Sequence, residues 1–539
     1  MVARAAPPRG PLVASDPNAV ACTHPDSQLS GNVTLDGGCV YEQSFVIKES
    51  NTTLDCNGAQ IVGTDAYLVT VRGEIDGVTV KNCYLRGGKG IAVRPPGRLD
   101  GETDEQLRQR SPKNVVLTNL HVTESANVGV YFHHHVVGAT IQDSIIVDNS
   151  SAGVYLSPYG QGSQILNNLI KDNGHVKEDG SPRIGWYRRE GVAVDASSQH
   201  LIERNDFDHN ALGGVLLYKN CWEHAATDPK STPRTEHAHS NVIRGNTFAR
   251  MPFGVWVAAR QSRDLDLMEC GDSTPYANPI WIATVFHPSY SSYSSAYADF
   301  YLPWISVWPD FAENNTIVDN RFEEIGRGGI RIEDDSTTVT GNLFLGDFDY
   351  VFVGAPFRAR LDGHPVLDTV IADNSFANPV ATLFADHLAL IPDEHLGTQL
   401  SNNLRACASP WGGWLRHGEQ ILAYRPDGAA PGGCAEQVRT CNDGVLDGDY
   451  TDEECVPAPP EEQEPDAGVE TADAGEEPDG GTSAEPEVPT TDAPTGTTAG
   501  GCRAADHPGG RGSAASLVLA ALLLGIRARA RRSPSTGLS

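Results

Sequence analysis

The stretch IERNDFDHNALGGVLLYKN, residues 202–220, decides the fold. Two short apolar runs are split by Asn and Gly, and neither keeps a helical period. The second run, GGVLLYKN at 213–220, starts like a buried strand and then sets Tyr218 and Lys219 at its end. An ammonium at that point needs a reason. The reason depends on whether the stretch stands alone or repeats.

It repeats. IRGNTFARMPFGVWVAAR begins at Ile243, IVDNRFEEIGRGGIRIEDD at Ile317, VTGNLFLGDFDYVFVGAP at Val339 and IADNSFANP at Ile371. Weaker copies are LTNLHVTESANVGVYFHHH from Leu117 and IQDSIIVDNSSAGVYLSPY from Ile141. The shared pattern is apolar-x-x-Asn-x-Phe/Ile, a gap, then Gly-Val/Ile-x-apolar. Short segments with period-two alternation predict strands, and a fixed spacing predicts stacked coils. Asn tolerates the left-handed conformation at tight corners and can hydrogen-bond from coil to coil.

With NTTLDCNGAQIVG from Asn51 and DGVTVKNCYLRGGKGIAV from Asp76, the chain resembles right-handed parallel β-helix proteins of the pectate-lyase-like superfamily. The resemblance covers about residues 40–400. It implies an all-β, right-handed parallel β-helix (solenoid). It does not choose a function, because such helices host lyases, hydrolases, epimerases and adhesins.

The expected organisation is an N-terminal segment and cap at 1–39 and the β-helix at 40–405, with insertions near 174–189, 221–240 and 261–313. A small Cys-rich module follows at 406–455, then a disordered acidic linker at 456–500 and a short apolar C-terminal tail at 501–539. The 221–240 excursion carries Glu223, His224, Glu236, His237 and His239, and the last insertion is rich in Trp and Tyr. Aromatic faces there would stack on sugar rings or cover an apolar flank. The run CNDGVLDGDYTDEEC, 441–455, hints at calcium but does not match an EF-hand loop. A cysteine-stapled module is the preferred reading.

The formal net charge is −30. Twelve acidic and no basic residues at 456–500, and a net of five positive charges at 501–539, leave −23 on residues 1–455. So acidic a body excludes nucleic acid as a partner class, since phosphate binding needs a basic surface. The 11 cysteines are scattered, with no CxxC pair, which favours disulfides in an oxidising compartment over a zinc site. The stretch MVARAAPPRGPLVASDPNAVAC shows no apolar core of signal-peptide length, which weighs against export by that route.

In the tail, Cys502 precedes the apolar run 514–526 and the cluster Arg527, Arg529, Arg531 and Arg532. This resembles the C-terminal sorting tags of Gram-negative surface proteins, the myxobacterial type in particular. It implies a secreted or cell-surface protein at the outer membrane, attached through the tail. A monomer is expected.

Aligned on the Gly that opens the last strand of each copy (Gly90, Gly129, Gly153, Gly191, Gly214, Gly254, Gly329), the positions four to six residues on form a column of ionisable side chains. It reads Arg94; His133, His134 and His135; Tyr159; Asp195; Tyr218 and Lys219; Arg260; then Glu333, Asp334 and Asp335. Strand ends commonly carry solvated charge, so the column alone fits a bland corner as well as a substrate groove.

As a groove, it suits a polysaccharide. The catalytic candidates are Lys219, Arg260, Asp195, Tyr218, His133 and His135. The substrate-binding candidates are Arg94, Tyr159, Trp256, Glu333 and Asp334. On a uronate glycan, lyase and epimerase chemistry both begin by removing the proton beside the carboxylate. Lys219, Tyr218 or a histidine would take that proton. Arg260 or a calcium ion would neutralise the carboxylate. No cofactor is certain, and no protein residues are assigned to a metal.

A hydrolase is the alternative. It would use a carboxylate pair drawn from Glu190, Asp195, Glu223, Glu333, Asp334 and Asp335. A glycan-binding adhesin is the non-enzymatic alternative.

Overall fold

The structure is a computed structural model. It describes residues 17–175, 189–219, 236–258, 312–346, 348–354, 366–377, 389–390, 395–426 and 433–456. Arg260, Glu223, His224, Cys221, Cys270, Cys502, most of the expected insertions, the linker and the tail lie outside these residues.

The chain forms a right-handed parallel β-helix. Three parallel sheets of 13, 12 and 12 strands run its length, here called A, B and C, and consecutive strands step A to B to C in each coil. The coils begin at Val20–Cys22, which pairs with Cys39–Tyr41. The helix therefore starts before position 40. Its first coil has two- and three-residue strands and none of the Asn-x-Phe spacing that marks later copies.

Each corner has its own device. Between C and A, a residue at positive φ is followed by a buried Asn: Arg204 then Asn205, Gly245 then Asn246, Asp319 then Asn320. The side-chain amide of Asn168 donates to Asn205, Asn205 to Asn246, and the series continues through Asn320, Asn342 and Asn374 to Asn403 at 2.9–3.0 Å. Between B and C the positive-φ residue precedes His200, Asn241 or Asn315 instead. Inside, Phe207, Phe248, Phe322 and Phe344 stack with centroids 4.8–5.0 Å apart.

The aligned glycines are required by this packing. A Cβ on Gly254 would lie 2.4 Å from the Phe322 ring and 2.5 Å from the Gly329 carbonyl oxygen. On Gly214 it would lie 2.3 Å from the Phe248 ring.

After the last coil, Gln420–Pro426, Cys434–Asn442 and Val445–Leu446 form antiparallel hairpins. The disulfides Cys407–Cys441 and Cys434–Cys455 staple this region, and Cys22–Cys39 and Cys56–Cys83 staple the opposite end. Among the described residues there is one α-helix, Asp104–Gln109, capped by Thr103 and Gln106. It lies in an excursion between sheets B and C that the repeat pattern does not mark. Among the described residues no helix is long and apolar enough to cross a membrane.

Candidate functional site

Sheet B positions the ionisable column. Its strands alternate, so Val215 and Leu217 enter the interior core while Leu216 joins a separate buried patch on the outer face. Along that face Tyr131 pairs with Tyr155, Tyr155 with Ala193, Ala193 with Leu216, Leu216 with Trp256 and Trp256 with Arg331. Two residues further along, Asp195 pairs with Tyr218 on the next coil. The strand Gly213–Tyr218 is buried along its whole length.

A polar cluster is built on this face. The Tyr218 phenol donates to Glu190 Oε1 at 2.9 Å. Arg189 Nη2 donates to the same carboxylate oxygen at 2.8 Å and to the Tyr218 oxygen at 3.1 Å. On the neighbouring coil the Tyr155 phenol donates to Asp195 Oδ2 at 2.6 Å, and the Arg189 guanidinium lies 5.8 Å from the centre of the Tyr155 ring. Lys219 follows Tyr218 and is buried. Burial works against the charge on Arg189, but Glu190, Tyr218 and Tyr155 outweigh it and raise the guanidinium well above its ordinary value. The Arg189 side chain, 27% exposed, is the part of its ion pair that reaches solvent.

Arg189 and Glu190 arrive through the corner between sheets A and B. Arg189 N–H donates to Gly174 O, and Leu212 N–H donates to Arg189 O. The next residue, Gly191, leaves room for the Phe207 ring, 2.9 Å from where a Cβ would stand.

The remaining candidates spread along the face. His133 packs against Tyr131, with ring centroids 3.9 Å apart and planes tilted by 40°. Burial, then the charges of Arg94 and His134, push His133 down to about 2, so it is neutral in the fold. Tyr67, beside it, is pushed up to about 12 by burial and by Tyr131. Arg94 lies 6.0 Å from the Tyr67 ring centre. His135 Nε2 sits 2.8 Å from Asp104 Oδ1, and Arg98 pairs with the same carboxylate. Burial still lowers the His135 pKa, and its ring stacks on Tyr159 at 4.7 Å. His133 and His135 thus have separate partners, and neither joins a metal-ligating group among the described residues.

Downstream, Arg331 donates to Glu333 at 2.6 Å while lying 5.1 Å from the Trp256 ring and 4.9 Å from the Phe352 ring. Asp334 accepts from the Ala312 and Asp335 N–H groups, and Asp335 accepts from that of Leu367. These two carboxylates brace the corner. With Glu313 they form an all-oxygen group of the kind calcium takes, although the backbone already holds two of the three.

The fold therefore gathers Asp195, Tyr218 and Lys219 on adjacent coils. It places Arg94, His133, His135 and Tyr159 upstream, and Trp256, Glu333 and Asp334 downstream. Arg189 and Tyr155 belong to the cluster but are absent from the sequence-derived candidates. Tyr155 was findable two positions after Gly153 on the outward parity. Arg189 lies in a segment outside the repeat.

Residues 106–265 match the family model described as "Right handed beta helix region". No curated protein matches the chain. Among solved structures, the chain is similar to the A-modules of two mannuronan C-5 epimerases of Azotobacter vinelandii. One has 15% identity, covering 70% of this chain and 87% of that one, with a TM-score of 0.46. The other has 13% identity, covering 70% and 85%, with a TM-score of 0.45. An alginate lyase from a Paenibacillus species is 11% identical over 64% of this chain and 90% of its own, with a TM-score of 0.31. The fold assignment rests on the strand pairing above and on the family match to residues 106–265: this chain carries a right-handed parallel β-helix region.

Proposed function

We propose that this protein is an exported enzyme acting on a uronate-containing polysaccharide, as a lyase or epimerase. One observation carries the reading: on the outer face of sheet B, buried Tyr218 bonds buried Glu190 and partly exposed Arg189 of the preceding coil and pairs with Asp195 of that same coil. A solvated corner has no need of such a network. Burial also makes each interaction stronger than it would be in water.

The proposed roles build on these hydrogen bonds and on the sequence-derived column. Glu190 accepts the phenol proton of Tyr218, and Arg189 is placed to hold the charge left on that oxygen. Tyr218 then takes the proton beside the substrate carboxylate. Lys219, the next residue, supplies a proton either to the leaving glycosidic oxygen or to the opposite face of the sugar. Asp195, held by Tyr155, orients the ring, and Arg260 neutralises the carboxylate. Two charged sites a few coils apart would span neighbouring sugars, because coils repeat roughly every 4.8 Å. The outer-face aromatics Tyr131, Tyr155 and Trp256 offer stacking surfaces. The four disulfides among the described residues fit an oxidising compartment. Tethering through the tail belongs to the same proposal.

A hydrolase is the second reading, favoured by two buried carboxylates, Glu190 and Asp195, in one cluster.

The test incubates the full chain with uronate polysaccharides, with and without calcium. It follows ultraviolet absorbance for unsaturated ends and proton NMR for inverted C5. Tyr218→Phe and Lys219→Met are expected to lower turnover by roughly 100-fold or more while the chain stays folded by circular dichroism, with melting lowered only modestly. Unaltered turnover in both variants overturns the assignment. New reducing ends without unsaturation transfer it to hydrolysis.

A further inference from the structure

We propose that Asp172, His175 and His209 form a binding site for a divalent transition-metal ion of the zinc type, separate from the sheet B cluster. One ligand atom from each lies within 4.8 Å of the others.

The backbone sets this group up. Asp172 and His209 stand on adjacent coils at the corner between sheets A and B, both at positive φ (54° and 50°), linked by the bond from Asp172 N–H to Asp208 O. Each is followed by a buried Asn of a second side-chain ladder, Asn173 and Asn210, and the Asn173 amide donates to the Asn210 side-chain oxygen on the next coil at 3.0 Å. The two Cα–Cβ directions are therefore fixed by the coil rather than by a loose loop. His209 Nδ1 already sits 2.6 Å from Asp172 Oδ1. The His175 ring stacks on His209, with centroids 4.6 Å apart and planes 30° from parallel. Its Nε2 now bonds His209 O at 2.6 Å and would turn from it to reach a metal.

The nearby charges leave Asp172 disposed to a cation. Arg250 binds Asp208 through two nitrogens at 2.9 and 2.6 Å, and Lys171 lies closer to Asp208 (3.3 Å) than to Asp172 (3.8 Å). A cavity of about 420 Å³ opens beside the histidines and is also lined by Arg250, Glu324 and Arg327. Three protein ligands with a fourth position facing a cavity is the open arrangement of zinc sites. Two imidazole nitrogens select zinc-like ions over calcium or magnesium, which prefer all-oxygen shells.

The test is a calorimetric titration of the full, chelator-stripped chain with zinc chloride, and a cobalt titration followed by visible absorption. One zinc per chain is expected, with a Kd on the order of micromolar or tighter. Four-coordinate cobalt bands are expected as well. His175→Ala and His209→Ala should each weaken zinc at least tenfold while melting at the wild-type temperature. His209 is 57% exposed and His175 is half-buried, and neither belongs to the core, so both variants are expected to fold. No saturable 1:1 binding, the same isotherm in both variants, or displacement of zinc by equimolar calcium would overturn the site.

Discussion

His200 shows how one side chain can serve a structural column and still leave a pH signature. Its Nδ1 accepts the Ser163 N–H at 3.0 Å, and its backbone N–H donates to the Asn241 side-chain oxygen. Burial pushes its pKa down to about 3, and His133 to about 2. In the unfolded chain both would titrate near 6.5. Between that value and the folded ones, the unfolded state holds protons that the folded state does not. Stability is therefore full above about pH 6.5 and falls as pH drops below it. Melting curves at pH 7 and pH 5 should show a lower midpoint at pH 5. Asn241 performs the same task one coil on, so His200→Asn should fold and melt with less dependence on pH over this interval. An unchanged pH dependence would remove His200 from the account.

At the scale of the element, the glycine column and the Asn ladder make opposite demands. Gly254→Ala places a methyl group against the Phe322 ring and the Gly329 carbonyl, and should cost roughly 1–3 kcal/mol in chemical denaturation. Asn246→Ala strands the groups that Asn246 now satisfies in Asn205, Asn320 and Ile202, all buried, for a loss of about 3 kcal/mol. These elements were legible in the sequence because their signals are local. The Asn, the Phe two residues later and the following Gly recur from copy to copy in the coils that begin at Ile202, Ile243 and Ile317. The capped helix Asp104–Gln109 and the first coil at Val20 were not legible, because neither repeats. The column of ionisable residues could be counted out from the glycines. Arg189 could not, since only the closure of the A-to-B corner onto Gly174 carries it to Tyr218.

For the whole molecule, disulfides hold both described ends while the coils between rely on packing and side-chain ladders. Cys56–Cys83 closes a loop with a sequence separation of 27, for which chain entropy alone predicts about 3.5 kcal/mol. The Cys56→Ser, Cys83→Ser pair should lower denaturation resistance by that order, and a reductant should do the same to the native chain. Equal stability with and without reductant would mean that packing alone secures the amino-terminal coils.

The three corners are also unequal in a way that bears on how such a chain can change. From Asn167 onward the C-to-A corner is always two residues, a positive-φ residue and its Asn, while the long excursions leave from the other two corners. That corner works as a phase reset. However many residues an excursion adds, the next coil re-enters with its Asn in the same slot, so an error of length is confined to one turn. New loops can thus be grafted beside the sheet B face without shifting the residues already aligned on it.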